Sequence, residues 1–155
     1  MEPVIDVVNL SKAFGPKVVL SKVNLQVMDG ESLVVLGGSG TGKTVLLRCI
    51  MGLLKPDSGH VAIEGNIIHE LTREKLFEVR KKVGMCFQMA ALFDSMSVEE
   101  NVGFSLHRHT KMTKAEIADR VDECLGQVGL KGTNKLRPSE LSGGMKRRVG
   151  FARAI

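Results

Sequence analysis

The segment Gly37-Gly38-Ser39-Gly40-Thr41-Gly42-Lys43-Thr44 constrains this chain more than any other. It satisfies the pattern G-x-x-x-x-G-K-[ST], and each residue type in it has a physical reason. Glycines let the backbone turn tightly and approach an anion with no Cβ in the way. A helix opened by such a loop presents unpaired N–H groups and the positive end of its dipole, a ready phosphate site. Lys43 adds a full positive charge suited to β- and γ-phosphates, and the Thr44 hydroxyl suits Mg²⁺. The flanks agree with this reading. Leu33-Val34-Val35-Leu36 is a continuous apolar run, expected as a strand covered on both faces in a parallel sheet, and residues 44–51 are expected to be a helix.

Elsewhere the pattern is mixed. Val4–Leu10, Val18–Leu20 and Val23–Val27 read as short strands, broken by Ser11–Pro16. Pro56-Asp57-Ser58-Gly59 is a turn before a strand at Val61–Ile63, and Val83–Phe87 reads as a further buried strand. Thr72 is an expected N-cap for a charged helix reaching about Lys82. Ser97-x-x-Glu100 and Thr113-x-x-Glu116 both match the capping box. Ile117, Val121, Leu125 and Val128 then recur at helical spacing, so residues 97–130 are expected to be helical. A basic helix follows Ser142.

The formal charge is +5, and it is unevenly distributed. Residues 1–70 carry 6 basic and 7 acidic side chains, residues 71–130 carry 9 of each, and residues 131–155 carry 7 basic and 1 acidic. The excess sits in one short segment rather than on a nucleic-acid-binding face. Tyr and Trp are both absent, so aromatic stacking platforms for single strands are scarce. Cys49, Cys86 and Cys124 lie in apolar runs without metal-ligand spacing and read as buried free thiols of a reducing compartment. The four histidines form no usable pattern. No stretch approaches 18 apolar residues, and the N-terminus has no basic n-region, so any membrane role is expected to be peripheral.

Leu141-Ser142-Gly143-Gly144-Met145, 99 residues after Gly42 in its first member, is a weak signal alone. Combined with the phosphate loop it resembles the ATP-binding cassette (ABC) ATPases over essentially the whole chain. The resemblance implies an α/β fold: a P-loop NTPase core with an N-terminal antiparallel β subdomain, a helical subdomain and a central sheet that is incomplete here. It implies ATP and Mg²⁺ as ligands. Gly37, Gly38, Ser39, Gly40, Thr41, Gly42, Lys43 and Thr44 would bind the phosphates, and Phe14, beside Gly15 and Pro16, would stack on adenine or else serve as a core aromatic. Gln88 matches the Q-loop glutamine that attends Mg²⁺ or the attacking water, with Thr44 as the other Mg²⁺ ligand. Leu141, Ser142, Gly143, Gly144 and Met145 form the signature that meets ATP held by the opposite subunit of a head-to-tail dimer. Lys146, Arg147, Arg148 and Arg153 read as a solvated basic face, or as a source of potential near the phosphates. Met89, Phe93 and Met96 read as core, or as a groove for a coupling helix of a transmembrane permease.

Met145, where the family's signature usually has Gln, and the stretch Phe87–Val102 look like the ATPase subunits of Mla-type and Mce-associated lipid transporters. The division implied is 1–96 for the β and P-loop core portion, 97–141 for the helical subdomain and 142–155 for the signature helix. The family's Walker B Asp, catalytic Glu and switch His have no counterpart in these residues. The chain is therefore expected to be the front part of a longer one, able by itself to bind nucleotide rather than hydrolyse it. It is expected on the cytoplasmic face of the inner or plasma membrane. Among other classes, ABC proteins of the DNA-repair type are excluded, because no coiled coil fits between loop and signature.

Overall fold

The computed structural model describes residues 2–88 and 90–155, in two compact units, Met1–Lys82 and Val83–Ile155. The first is built on a long hairpin. β1 (Ile5–Phe14) and β2 (Lys17–Val27) pair antiparallel through the Gly15-Pro16 turn, and the β-branched runs at each end extend through residues that the sequence reads as a break. The register slips near Leu10 and Lys12. Asn24 satisfies the irregular backbone: its Oδ1 accepts from the Asn9 N–H at 2.8 Å, and its Nδ2 donates to the Lys22 carbonyl at 2.9 Å. β3 (Ser58–Ile63) and the short β4 (Asn66–Ile67) complete an antiparallel sheet in the order β2-β1-β3-β4. Val7, Leu10, Val61 and Ile63 from the sheet, with Leu46, Cys49 and Ile50 from helix α1 (Lys43–Ile50), are buried.

α2 (Arg73–Lys81) starts at Thr72, whose side chain accepts from the Lys75 N–H, as the cap pattern requires. None of its residues is buried. Its Arg80 donates to the carbonyls of Met51 and Gly52 at 3.1 and 2.7 Å, satisfying backbone acceptors beyond the C-terminal end of α1.

The second unit is helical. α3 (Val98–His109) and α4 (Lys114–Gln127) both carry complete capping boxes, at Ser97/Glu100 and Thr113/Glu116. α5 (Gly143–Ala152) packs with them around Val98, Val102, Ile117, Val121, Leu125 and Val149. The helical spacing of Ile117, Val121 and Leu125 marks the buried stripe, with Val128 partly buried at its edge.

Two expected strands are absent. Leu33–Leu36 forms no strand and pairs with none, with exposures of 46, 74, 44 and 88%. Val83–Phe87 likewise forms no ladder, and Phe87 is exposed. An apolar run records a demand for burial, whereas a strand also needs a neighbour to complete its hydrogen bonds. No strand among the described residues supplies one. Cys86 also departs from expectation: Cys49 and Cys124 are buried, but Cys86 belongs to the open run and is exposed. No helix among the described residues is long and apolar enough to cross a membrane.

Candidate functional site

The phosphate loop follows the Leu33–Leu36 run, turns at Ser39-Gly40 and enters α1 at Lys43. Gly42 is the N-cap, with φ of 100°. A Cβ there would stand 3.0 Å from both the Val19 carbonyl oxygen and its Cγ1, and 3.1 Å from Leu20, so β2 leaves room only for glycine. The close approach fixes the loop against the hairpin whose tip carries Phe14. Thr41 donates its hydroxyl to the Gly38 carbonyl at 2.9 Å, and Lys43 Nζ reaches back to the carbonyls of Gly37 and Gly38 at 2.7 and 2.6 Å. The ammonium thus lies over the loop it belongs to. No side chain caps the start of α1, and no acidic residue occupies its first turn. Its leading N–H groups, its dipole and Lys43 all favour an anion at one place. Thr44, in the first turn, is exposed.

Phe14 stands at the end of β1 beside the Gly15-Pro16 turn and is 49% exposed, which sets aside the core reading. The Lys12 ammonium lies 5.7 Å from its ring centroid.

The remaining family residues lie on the second unit. Gln88 is exposed, in a turn where the Ala90 N–H donates to the Phe87 carbonyl at 2.9 Å, rather than at a strand end. Ser142 is the N-cap of α5, its hydroxyl accepting from the Met145 N–H at 3.2 Å. Gly143 and Gly144 are exposed at the helix start, whereas Leu141 is buried and Met145 is partly buried against the helical core. The exposed part of the signature is thus a capped helix start with bare backbone.

The basic residues of this segment divide by function. Arg148 donates to the Val128 and Gly129 carbonyls at 3.0 and 3.2 Å. Arg153 donates to the Ala91 and Ala90 carbonyls at 2.8 and 2.9 Å, and its guanidinium lies 5.8 Å from the Phe93 ring centroid. These two are fastened to loops within their own unit, Arg153 partly buried and Arg148 still exposed. Phe93 is exposed and pairs with Phe104 at 4.7 Å between centroids, while Met96 is half-buried. Met89 lies outside the described residues.

Sequence reasoning missed Arg153 in this role, and it missed Asn101. Asn101 is fully buried; it accepts from the Phe93 N–H at 2.8 Å and donates to the carbonyls of Phe93, Met96 and Ser97. Its position in the second turn of α3 carries no local pattern that would reveal this.

The family model for ABC transporters matches residues 20–155. The chain belongs to the ABC transporter family. Among curated relatives, the probable ribonucleotide transport ATP-binding protein mkl of Mycobacterium leprae is 45% identical over 97% of this chain and 44% of its own length. Protein TRIGALACTOSYLDIACYLGLYCEROL 3, chloroplastic, of Arabidopsis thaliana is 47% identical over 93% of this chain and 41% of its own. The intermembrane phospholipid transport system ATP-binding protein MlaF of Haemophilus influenzae is 44% identical over 97% and 57%. The chain thus spans roughly half the length of these relatives. A dimeric ATP-binding cassette, MJ0796, in a post-hydrolysis state bound to ADP and Pi, superimposes with a TM-score of 0.88 and 32% identity, over 97% of this ABC chain and 68% of that one.

Proposed function

We propose that this chain is part of the ATP-binding subunit of an ABC transporter that couples ATP binding and hydrolysis to movement of phospholipid or a related lipid. The observation that carries the nucleotide reading is the uncapped start of α1 with Lys43 folded over Gly37 and Gly38. A triphosphate entering there exchanges two contacts of the ammonium with neutral carbonyls for contacts with anionic phosphate oxygens, in which both partners carry charge. The loop N–H groups then hold the β-phosphate, and the exposed face of Phe14 receives adenine.

Thr44, exposed in the first turn of α1, offers an oxygen ligand that fits a hard cation beside the phosphates. Mg²⁺, when bound, neutralises phosphate charge. Ser142, Gly143 and Gly144 offer their helix start to ATP held by a second cassette, so two subunits close head to tail around nucleotide. In this assignment residues 1–96 are the core portion, 97–141 the helical subdomain and 142–155 the signature helix. A transmembrane permease docks on the assembly at the cytoplasmic face of the membrane. The names of the Haemophilus and Arabidopsis relatives support a lipid cargo, and that of the mycobacterial relative names a ribonucleotide instead.

ATP turnover by the native-length protein tests the reading. Lys43→Ala is expected to abolish turnover, and unchanged turnover refutes the phosphate-loop assignment. Stimulation by phospholipid of the protein reconstituted with its permease supports the lipid cargo; stimulation by ribonucleotides and not by phospholipid overturns it.

A further inference from the structure

β1 loses its neighbour on the β3 side before it reaches Phe14. The last pair between these strands is Ser11↔Ser58, and the register with β2 slips on both sides of Lys12. A backbone donor in this stretch needs an acceptor from outside the ladder. Asp57, in the turn ahead of β3, supplies it. Its Oδ2 accepts from the Ala13 N–H at 2.7 Å, its Oδ1 accepts from Lys12 Nζ at 2.6 Å, and its own N–H donates to the Ser11 carbonyl at 2.9 Å. Three consecutive residues of β1 are therefore gripped by one residue 44 positions away from Ala13. The next residue is Phe14.

We propose that Asp57 is a positioning residue for the base of the nucleotide: it sets the end of β1, and through it the Phe14 ring, in the orientation that stacks on adenine. The proposal rests on the reading of Phe14 as the adenine platform. Lys12 serves twice, since it neutralises Asp57 and stands 5.7 Å from the Phe14 centroid. The Asp57 carboxyl is held below the usual carboxylate range by the Lys12 ammonium first and the Ala13 N–H second, so the grip is intact at neutral pH. Phosphate binding does not pass through Asp57, because Lys43 and the start of α1 provide it. Loss of the grip therefore separates base recognition from phosphate recognition.

The experiment is calorimetric titration of the native-length protein with ATP and with inorganic tripolyphosphate, which has the phosphates and no base. Phe14→Ala should weaken ATP about tenfold, the order of one aromatic–base stack, and leave tripolyphosphate unchanged. Asp57→Asn should weaken ATP by about three- to tenfold, again with tripolyphosphate unchanged, and should add nothing in a Phe14→Ala background. Lys12→Met, which keeps the Ala13 hydrogen bond, should give a smaller loss of the same kind. If Phe14→Ala leaves ATP affinity intact, the adenine reading fails and takes the proposal with it. If Phe14→Ala weakens ATP while Asp57→Asn and Lys12→Met do not, the adenine reading stands and the role of Asp57 is overturned. Equal weakening of both ligands by Asp57→Asn, or additive losses in the double variant, also overturns it.

Discussion

Arg153 and the turn it grips make opposing contributions to stability that can be separated by mutation. Ala90 and Ala91 have φ of 60° and 47°, in the left-handed region. For an L-residue this conformation costs about 1–2 kcal/mol each, so the turn holds about 2–4 kcal/mol of strain. Opposing it are two hydrogen bonds from the guanidinium to the carbonyls of these same residues. Bonds to charged groups contribute about 1.5–3 kcal/mol each, and partial exposure puts this pair near the lower end, about 3 kcal/mol together. The two sums nearly cancel. Arg153→Ala should therefore cost only about 1 kcal/mol, because the freed turn relaxes as the bonds are lost. Ala91→Gly, at an exposed position, should stabilise by about 1 kcal/mol while the arginine is present, since glycine carries no left-handed penalty. In an Arg153→Ala background the same glycine should give no stabilisation. Urea midpoints at constant slope, on the native-length protein, measure all four variants. Equal stabilisation by glycine in both backgrounds, or destabilisation in the wild type, refutes the argument. Gln88 precedes Ala90 by two residues, so Arg153→Ala should also lower ATP turnover more than ATP affinity.

Three other outcomes are expected. Ser142→Arg places a long cation at the start of α5 and should block ATP-dependent pairing in sedimentation while leaving monomer binding; lost monomer binding would show that Ser142 acts elsewhere. Asn101→Ala removes the acceptor of the Phe93 N–H and one donor from each of three carbonyls in a fully buried setting, and should cost about 2–3 kcal/mol in urea unfolding; a cost under about 0.5 kcal/mol would contradict the assigned network. Acid should weaken α3 and α4 at their capping boxes. The Ser97 and Thr113 N–H groups hold Glu100 and Glu116 below the ordinary value of 4.5, so each contribution is present above that pH and is lost as pH falls through the depressed value. Stability measured from pH 6 to 2 should fall in this window, and less so in Glu100→Gln/Glu116→Gln; stability that rises on acidification would reverse the sign.

What the sequence revealed and what it hid divide by distance along the chain. The capping boxes and the Thr72 cap are contracts between residues three apart and formed as written, and in the glycine-rich loop Lys43 reaches back only six residues, to Gly37. Leu33–Leu36 and Val83–Phe87 failed as strands because their apolar character says nothing about which neighbour completes the ladder. Asp57 with Ala13, and Arg153 with Ala90, span 44 and 63 positions, beyond any local pattern. The charge excess of residues 131–155 changes meaning for the same reason. Read along the chain it is a solvated basic face or a source of potential near the phosphates. In space, Arg148 and Arg153 are turned onto backbone carbonyls at Val128, Gly129, Ala90 and Ala91. A guanidinium suits this work because its planar fork reaches two acceptors at once and never loses its charge. These two cations therefore fix the loops on which Gln88 and α5 stand, and the net charge of the segment is a poor guide to any external partner.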